Sequence, residues 1–480
     1  MLLLLCLLLS GCRKGIDLAA DADSDVAEAG IFEADTVGSG TAGADSVGSG
    51  TTGEETAETD ITKTGAEASD ISDDNKNTSG KNGNEIYDWV EYLNDDGSYT
   101  KGSDLKKEND TNVKNGEEQA MTKADLKSLP TVSEEDLLYY QNQTAGCYFY
   151  QRLTPEDQLI YCEMLSILSK HQEGVKLSTI DVDKVNRVYD SLWKDHAELF
   201  FVDGCSYTSF YLKDELKALA FSGAYNLETF EIEKHQQNID RYVEKVLAQY
   251  NEEYPGGSDD YGKIKFWYEY LINHTEYDIN SPNNQNILSV MENGRSVCQG
   301  YARTTQYVLS KMGIKTLLVV GTGRNNESHA WNEVFADGNW YHLDATWGDA
   351  SYEINGDMTM IDSLPPVNYD YLLVNDAEIM KTHAIRDKDE LPAANALTDY
   401  YYVREGAYFT EINENQIKAV FDYARARGMT YVTLKMDNAQ TYEKMENYLL
   451  VEQKIFDFLR EQGTASYSVN REQNYMVFWI

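Results

Sequence analysis

An Asp337–Gly338 pair sits between two strand-like runs, and it limits what Ser328–Asp349 can become. A two-residue hairpin loop of type I′ needs positive φ at both central positions, which Asp-Gly supplies, so SHAWNEVFADGNWYHLDATWGD reads as a hairpin. In that register Ala336 faces Asn339, Phe335 faces Trp340 and Val334 faces Tyr341. Counting outward sets Trp331 opposite Asp344 and His329 opposite Thr346. Side chains alternate between faces, so His329 and Asp344 share a face as diagonal neighbours, roughly 7–8 Å apart between backbones. A bulge would change this parity. A carboxylate that reaches an imidazole fixes its tautomer and stabilises the imidazolium. The same counting also brings His342 to this face, opposite Glu333.

A His–Asp pair needs a nucleophile. Outside the helical region Cys298 is the candidate, at the start of a helix predicted from Cys298 to Met312 and closed by Gly313. The partial positive charge of a helix N-terminus favours a thiolate. Gly300 keeps one side of that first turn clear of a side chain. Strand-borne His329 and Asp344 facing a helix-borne Cys298 is the arrangement of papain-like acyl transfer.

These residues also carry a family resemblance. SVCQGYA, SHAWNEV and WYHLDATWGD, in that order and preceded by YLINHTEYD, resemble the transglutaminase-like superfamily across about Tyr261 to Asp349. The resemblance implies Cys298 as nucleophile, His329 as general base and acid, and Asp344 as its orienting partner. It implies an α+β fold: a papain/transglutaminase-like core, with the Cys helix packed on an antiparallel sheet bearing His and Asp. A helical N-terminal region and a small α/β C-terminal module complete the expected architecture. The implied activity is attack on an amide carbonyl through a thioester, resolved by an amine or by water, on protein or peptide substrates that include cell-wall peptides. No cofactor is implied. Gln299 and Tyr301 are candidates for the oxyanion side, and Trp331, Asn332 and Trp347 for the substrate groove. His342 is expected as a wall residue, Asp349 is the weaker rival to Asp344, and His274 and His383 are expected to be structural. A metal reading of Cys298, His329, His342 and Asp344 is set aside, because no HExxH or CxxC spacing supports it. The rival class is a non-catalytic binding or wall-scaffold module on the same fold.

The chain has 480 residues and a formal net charge of −40, which argues against nucleic acid as a partner, because phosphate binding wants clustered Lys and Arg. Much of the acidity lies in the first third. Leu2–Leu9 is too short to span a bilayer and fits a signal-peptide core. Leu9–Ser10–Gly11–Cys12 resembles the bacterial lipobox, which implies lipid on Cys12 and an extracytoplasmic, membrane-anchored protein. The remaining cysteines, Cys147, Cys162, Cys205 and Cys298, are widely spaced, so at most one disulfide is expected, among the first three.

Five segments follow. Residues 1–12 are the signal with its lipobox. Residues 13–131 form an acidic Gly/Ser/Thr-rich spacer with the near-repeat ADTVGSGTAG, ADSVGSGTTG, too poor in apolar side chains to fold and spanning roughly 60 Å as a coil. Within it Glu85–Leu93 is an apolar island, read as a local helix or a docking peptide. Residues 132–253 are mostly helical, with two short strands, CSYTSFYL and ALAFSGAY. Residues 254–390 hold the core. Residues 391–480 follow a β-α-β-α-β pattern: a strand at DYYYVREGAYF, a helix at NENQIKAVFDYARARG, a strand at MTYVTLKM, one long helix at AQTYEKMENYLLVEQKIFDFLREQG, and a terminal strand pair.

Overall fold

The structure is a computed structural model that describes residues 91–93, 99–101 and 122–480, apart from 214, 324–325, 350–364 and 460–463. Cys12 and most of the expected spacer lie outside the described residues. Of the apolar island Glu85–Leu93, residues 85–90 lie outside the described residues; its end, Glu91–Leu93, is a strand rather than helix, paired antiparallel with Tyr99–Lys101. Among the described residues no helix is long and apolar enough to cross a membrane.

The helices begin where capping chemistry allows. Ser133 accepts from the Asp136 N–H to start Glu134–Thr144, and Thr154 accepts from the Asp157 N–H to start Pro155–Ser169, with Pro155 supplying the preset φ of a first helical residue. The two strands foreseen in this region are longer than expected. Val202–Leu212 and Glu215–Tyr225 form an antiparallel ribbon, with Val175–Lys176 on its edge.

The sheet that positions the site has five strands, in the order Leu372–Val374, Asn339–Leu343, Ser328–Ala336, Thr316–Thr322 and Ala384–Ile385, every neighbouring pair antiparallel. The helix Cys298–Lys311 is tied to this sheet by Asn332, whose Nδ2 donates to the carbonyls of Ala302 (3.0 Å) and Leu317 (3.2 Å). Behind it lies the helix Asp260–His274, whose fully buried Trp267 donates to Thr305 Oγ1 at 3.1 Å. A side chain of that size contributes about 1.5–3 kcal/mol by leaving water. Apolar side chains of the N-terminal helices, such as Tyr161, Leu168 and Leu192, belong to the same continuous core as Trp267, Tyr301, Trp331 and Leu372.

The C-terminal residues build a second core around Phe421, Leu434, Met445 and Phe478. Their sheet runs Tyr408–Phe409, Tyr431–Met436, Tyr475–Trp479, Tyr467–Asn470. Two expectations fail here. The YYY run forms the helical turn Tyr401–Arg404 rather than a strand, because stacking on Tyr369 (3.8 Å between rings) holds Tyr401 inward. The expected long helix stops early. Ala439–Glu446 is α-helical, Asn447–Val451 widens to a π-helix, and Gln453 takes φ 58°. That break lets both Leu449 and Ile455 enter the core. Fully buried Lys435 reaches from this module to Asp370 (2.8 Å) and Glu378 (3.4 Å).

Candidate active site

The hairpin forms in the register its turn dictates. Asp337 and Gly338 have φ of 46° and 94°, and Ala336 pairs with Asn339 through to Asn332 with Leu343. The ladder ends there. Asp344 leaves the strand, and its N–H donates instead to the Tyr371 carbonyl at 3.0 Å. Its carboxylate still meets His329: Nε2 and Oδ2 are 2.6 Å apart, both side chains buried. Oδ1 accepts the backbone N–H groups of Thr346 (2.9 Å) and Trp347 (3.2 Å), while the Tyr268 hydroxyl donates to the Asp344 carbonyl at 3.3 Å.

Cys298 stands in the first turn of its helix and is 6 % exposed. Its thiol lies near enough to the His329 ring to help raise that ring's pKa. With Nε2 committed to Asp344, the nitrogen left for sulfur is Nδ1. Burial works against a charged His329, but the Asp344 charge and hydrogen bond, with Cys298 adding, carry its pKa well above the ordinary imidazole value. Burial likewise opposes ionised Asp344, yet His329 and then His383 hold its carboxyl well below the usual range. The arrangement is thus suited to storing an imidazolium beside sulfur.

Gly300 serves a different purpose from the one expected. A Cβ there would come within 2.7 Å of both the Asn284 carbonyl and Ser289 Oγ, so glycine is required for close packing and opens no space. Gln299 and Tyr301 also turn elsewhere. Gln299 Nε2 donates to the Gln285 carbonyl at 3.0 Å, and the Tyr301 hydroxyl donates to Asp349 Oδ2 at 2.6 Å. Neither side chain is oriented as an oxyanion donor, and Asp349 is engaged with Tyr301. Asn332 ties helix to sheet, as described. Trp331 stacks near-parallel on His329 with ring centres 5.7 Å apart, and Trp347 lies 5.8 Å from it on another side. His274 stacks on Tyr270, and its Nδ1 lies 2.8 Å from that residue's carbonyl.

His342 turns away from Asp344. Trp331 Nε1–H donates to its Nδ1 at 3.1 Å, and indole can only donate, so the ring proton sits on Nε2 and goes to Asp376 Oδ1 at 2.9 Å. Burial keeps His342 below its ordinary pKa, hence neutral. His342 therefore orients the tryptophan under His329. Sequence reasoning missed Asp376 and His383 as members of this neighbourhood, since neither lies in a motif.

Among the described residues three clusters have the composition of cation sites: His329, Asp344 and His383; Glu333, His342 and Asp376; and Asp190, Asp387 and Glu390, whose carboxylates already surround the Lys194 ammonium. In the first, tetrahedral ligands held about 2.0–2.2 Å from one ion would stand roughly 3.3–3.6 Å from each other, and the 2.6 Å His329–Asp344 separation is the shorter distance of a charge-assisted hydrogen bond. In the second, the His342 nitrogen facing the carboxylates carries its proton, and Lys388 Nζ already bonds Asp376.

Glu333 is fully buried, and its carboxylate oxygens have no hydrogen-bond donor among the described residues. Burial pushes its carboxyl up to about 8, Lys388 opposing and Asp376 reinforcing. A carboxyl raised in the folded state keeps a proton that the unfolded chain releases near its reference value of 4.5. Its stabilising contribution is complete below that value and is lost as pH rises toward about 8. Glu333→Gln should therefore gain stability over the native chain, on the order of a few kcal/mol, between about pH 5 and about pH 9 in denaturant unfolding. A difference that is the same at both pH values contradicts this reading.

Residues 248–345 match the family model described as the transglutaminase-like superfamily, a span that contains Cys298, His329 and Asp344. Over these residues the chain is similar to the transglutaminase-like superfamily. Among curated proteins it is similar to kyphoscoliosis peptidase, 24% identical in Mus musculus and 25% in Homo sapiens, each over 105 residues. The match takes in 18% of this chain and 16% of either relative, so the chain spans about a sixth of their length. Among solved structures it resembles one described as a TGase, at 18% identity and a TM-score of 0.22, covering 30% of this chain and 44% of that one.

Proposed function

We propose that the protein is a cysteine acyl-transferase or hydrolase of transglutaminase-like type, acting on amide bonds of protein or peptide substrates. The observation that carries this reading is the buried 2.6 Å contact between His329 and Asp344, with Cys298 near the same imidazole. His329 takes the thiol proton, and Cys298 sulfur adds to the amide carbonyl. The carbonyl electron pair moves onto oxygen, which in this reading accepts from the Cys298 backbone N–H at the helix start. Collapse expels the amine, which takes its proton from His329, and leaves a thioester. An incoming amine or water, deprotonated by His329, then releases the acyl group and restores the thiol. The amine route gives transamidation and the water route hydrolysis.

Product analysis tests the reading. With glutamine-containing peptides, mass spectrometry should show ammonia-releasing change, and an added primary amine should divert product to the amide adduct. No change in any peptide, with Cys298 intact and reduced, would favour the non-catalytic module instead. Location belongs to the same proposal: the lipobox-like Cys12 would tether the enzyme outside the cytoplasm. Cys12→Ala should move the protein from the membrane fraction to the soluble one, and an unchanged distribution would remove the anchor.

A further inference from the structure

Asp344 carries one partner more than a Cys–His–Asp centre requires. His383 Nε2 lies 3.1 Å from Asp344 Oδ2, the oxygen that already receives His329. The residue arrives from a distant stretch, just before the short edge strand Ala384–Ile385. On the far side of its ring, Nδ1 is 2.8 Å from Thr382 Oγ1. A carboxylate can only accept, so the His383 proton is on Nε2, and the Thr382 hydroxyl donates into Nδ1. Trp331 (4.9 Å), Trp347 (4.6 Å) and Tyr371 (5.8 Å) enclose the ring, and its side chain is wholly buried.

We propose that His383 is a positioning residue of the candidate centre: its neutral Nε2–H donates to Asp344 Oδ2 and so sets how strongly that carboxylate holds and polarises His329. The inference rests on the reading of Cys298, His329 and Asp344 given above. With His383 in place, Asp344 accepts four hydrogen bonds, two at each oxygen, which fills its acceptor positions and leaves no rotation open. Neutrality matters, because a second imidazolium would compete with His329 for the same oxygen. Burial keeps His383 neutral, lowering it to about 4, with Asp344 opposing and His329 and His342 adding to the shift. The titratable groups that face this pair are Cys298, His329, His342, Tyr268 and Tyr371. Asp344 without this donor is a less stabilised anion and a stronger acceptor toward His329, in a looser position.

The test follows the pH dependence of Cys298 alkylation by iodoacetamide, read by mass spectrometry on the full chain, beside His329→Ala as reference. His383→Leu should slow Cys298 alkylation about 10- to 100-fold at neutral pH, the range typical of lost orienting partners, and move its alkaline limb to higher pH. His383→Gln, which keeps an N–H donor at similar reach, should recover most of the rate and the native limb. Thr382→Val leaves His383 in place but removes the donor to Nδ1, and it should shift the limb in the same direction by less. It serves if His383→Leu fails to fold. A native rate and limb in His383→Leu overturns the inference, as does a Gln variant no better than Leu at equal thermal stability, or a native limb in Thr382→Val. If His329→Ala leaves Cys298 alkylation unaltered, the base assignment itself fails. If His329→Ala alters it and the His383 and Thr382 variants do not, only the positioning role fails.

Discussion

Cys298→Ala abolishes turnover on any amide substrate, by at least about 10⁴-fold, because removing the nucleophile of a covalent mechanism leaves only binding and oxyanion stabilisation. The fold survives. Cys298 occupies the first turn of its helix, where Ala is a good helix former, and the helix start has no side-chain cap that the substitution could remove. The lost packing is one sulfur atom at a site that retains slight solvent access. Thermal unfolding should therefore stay close to native while product formation disappears. Cys298→Ser is also expected to be inactive within a similar range, since serine lacks the accessible thiolate that the centre is built to hold. An Ala variant with more than a tenth of native turnover would mean that the chemistry lies elsewhere.

Asp344→Asn is the second large effect, and its cause lies in hydrogen-bond polarity. Oδ1 of Asp344 accepts two backbone N–H groups, and Oδ2 accepts two imidazole N–H groups. An asparagine has one accepting end. Placed toward the histidines, its NH₂ confronts the Thr346 and Trp347 amides, and flipped over, it confronts His329 and His383. Either choice opposes donors in a buried site, so His329 loses its tautomer or its position. The expected fall in kcat is on the order of 10⁴-fold, as for loss of the carboxylate in comparable triads, with about 1–3 kcal/mol of stability for each unsatisfied buried group. The pH dependence changes as well. In the native chain the Asp344 charge overcomes burial and raises His329, so the imidazolium persists to alkaline pH and is lost as pH rises through that raised value. With neutral asparagine, burial acts without its counterweight and lowers His329. The alkaline limb should therefore move acidward, measured by the pH profile of Cys298 alkylation. A limb that stays in place would show that Asp344 does not set the charge state of His329.

How far the site was legible follows from which residues are fixed locally. Asp337–Gly338 determines a turn whose dihedrals leave one register, so the pairing from Ala336 down to Asn332 could be counted on paper. The same counting placed Asp344 beside His329, although the ladder ends at Leu343 and the shift there comes from the neighbouring strand Leu372–Val374. Asp344 reaches His329 through its own backbone anchor on Tyr371 rather than through strand pairing. His383 was not legible. It is joined to Asp344 by tertiary packing across 39 residues, and no spacing rule relates a carboxylate to a ring brought in by an edge strand of two residues. Gly300 shows a different failure: the requirement for glycine was visible, but its reason, Asn284 and Ser289 packed against the helix, was not. In the C-terminal module, helix periodicity runs through Asn447–Val451, and only the need to bury both Leu449 and Ile455 breaks it. The Tyr400–Tyr402 run likewise has strand-like composition that aromatic stacking overrides.

If Cys298, His329 and Asp344 act as one unit, the four described thiols must differ sharply in reactivity. Cys147, Cys162, Cys205 and Cys298 form no disulfide with one another, so each can be followed in one digest after brief iodoacetamide treatment of the folded chain at neutral pH. Burial raises both Cys147 and Cys162, which makes them slow internal references. Cys298 should be alkylated far faster than the other three, and His329→Ala should bring it down to their rate. Equal labelling of the four thiols, or a fast Cys298 that is indifferent to His329→Ala, would show that Cys298, His329 and Asp344 do not act as one unit.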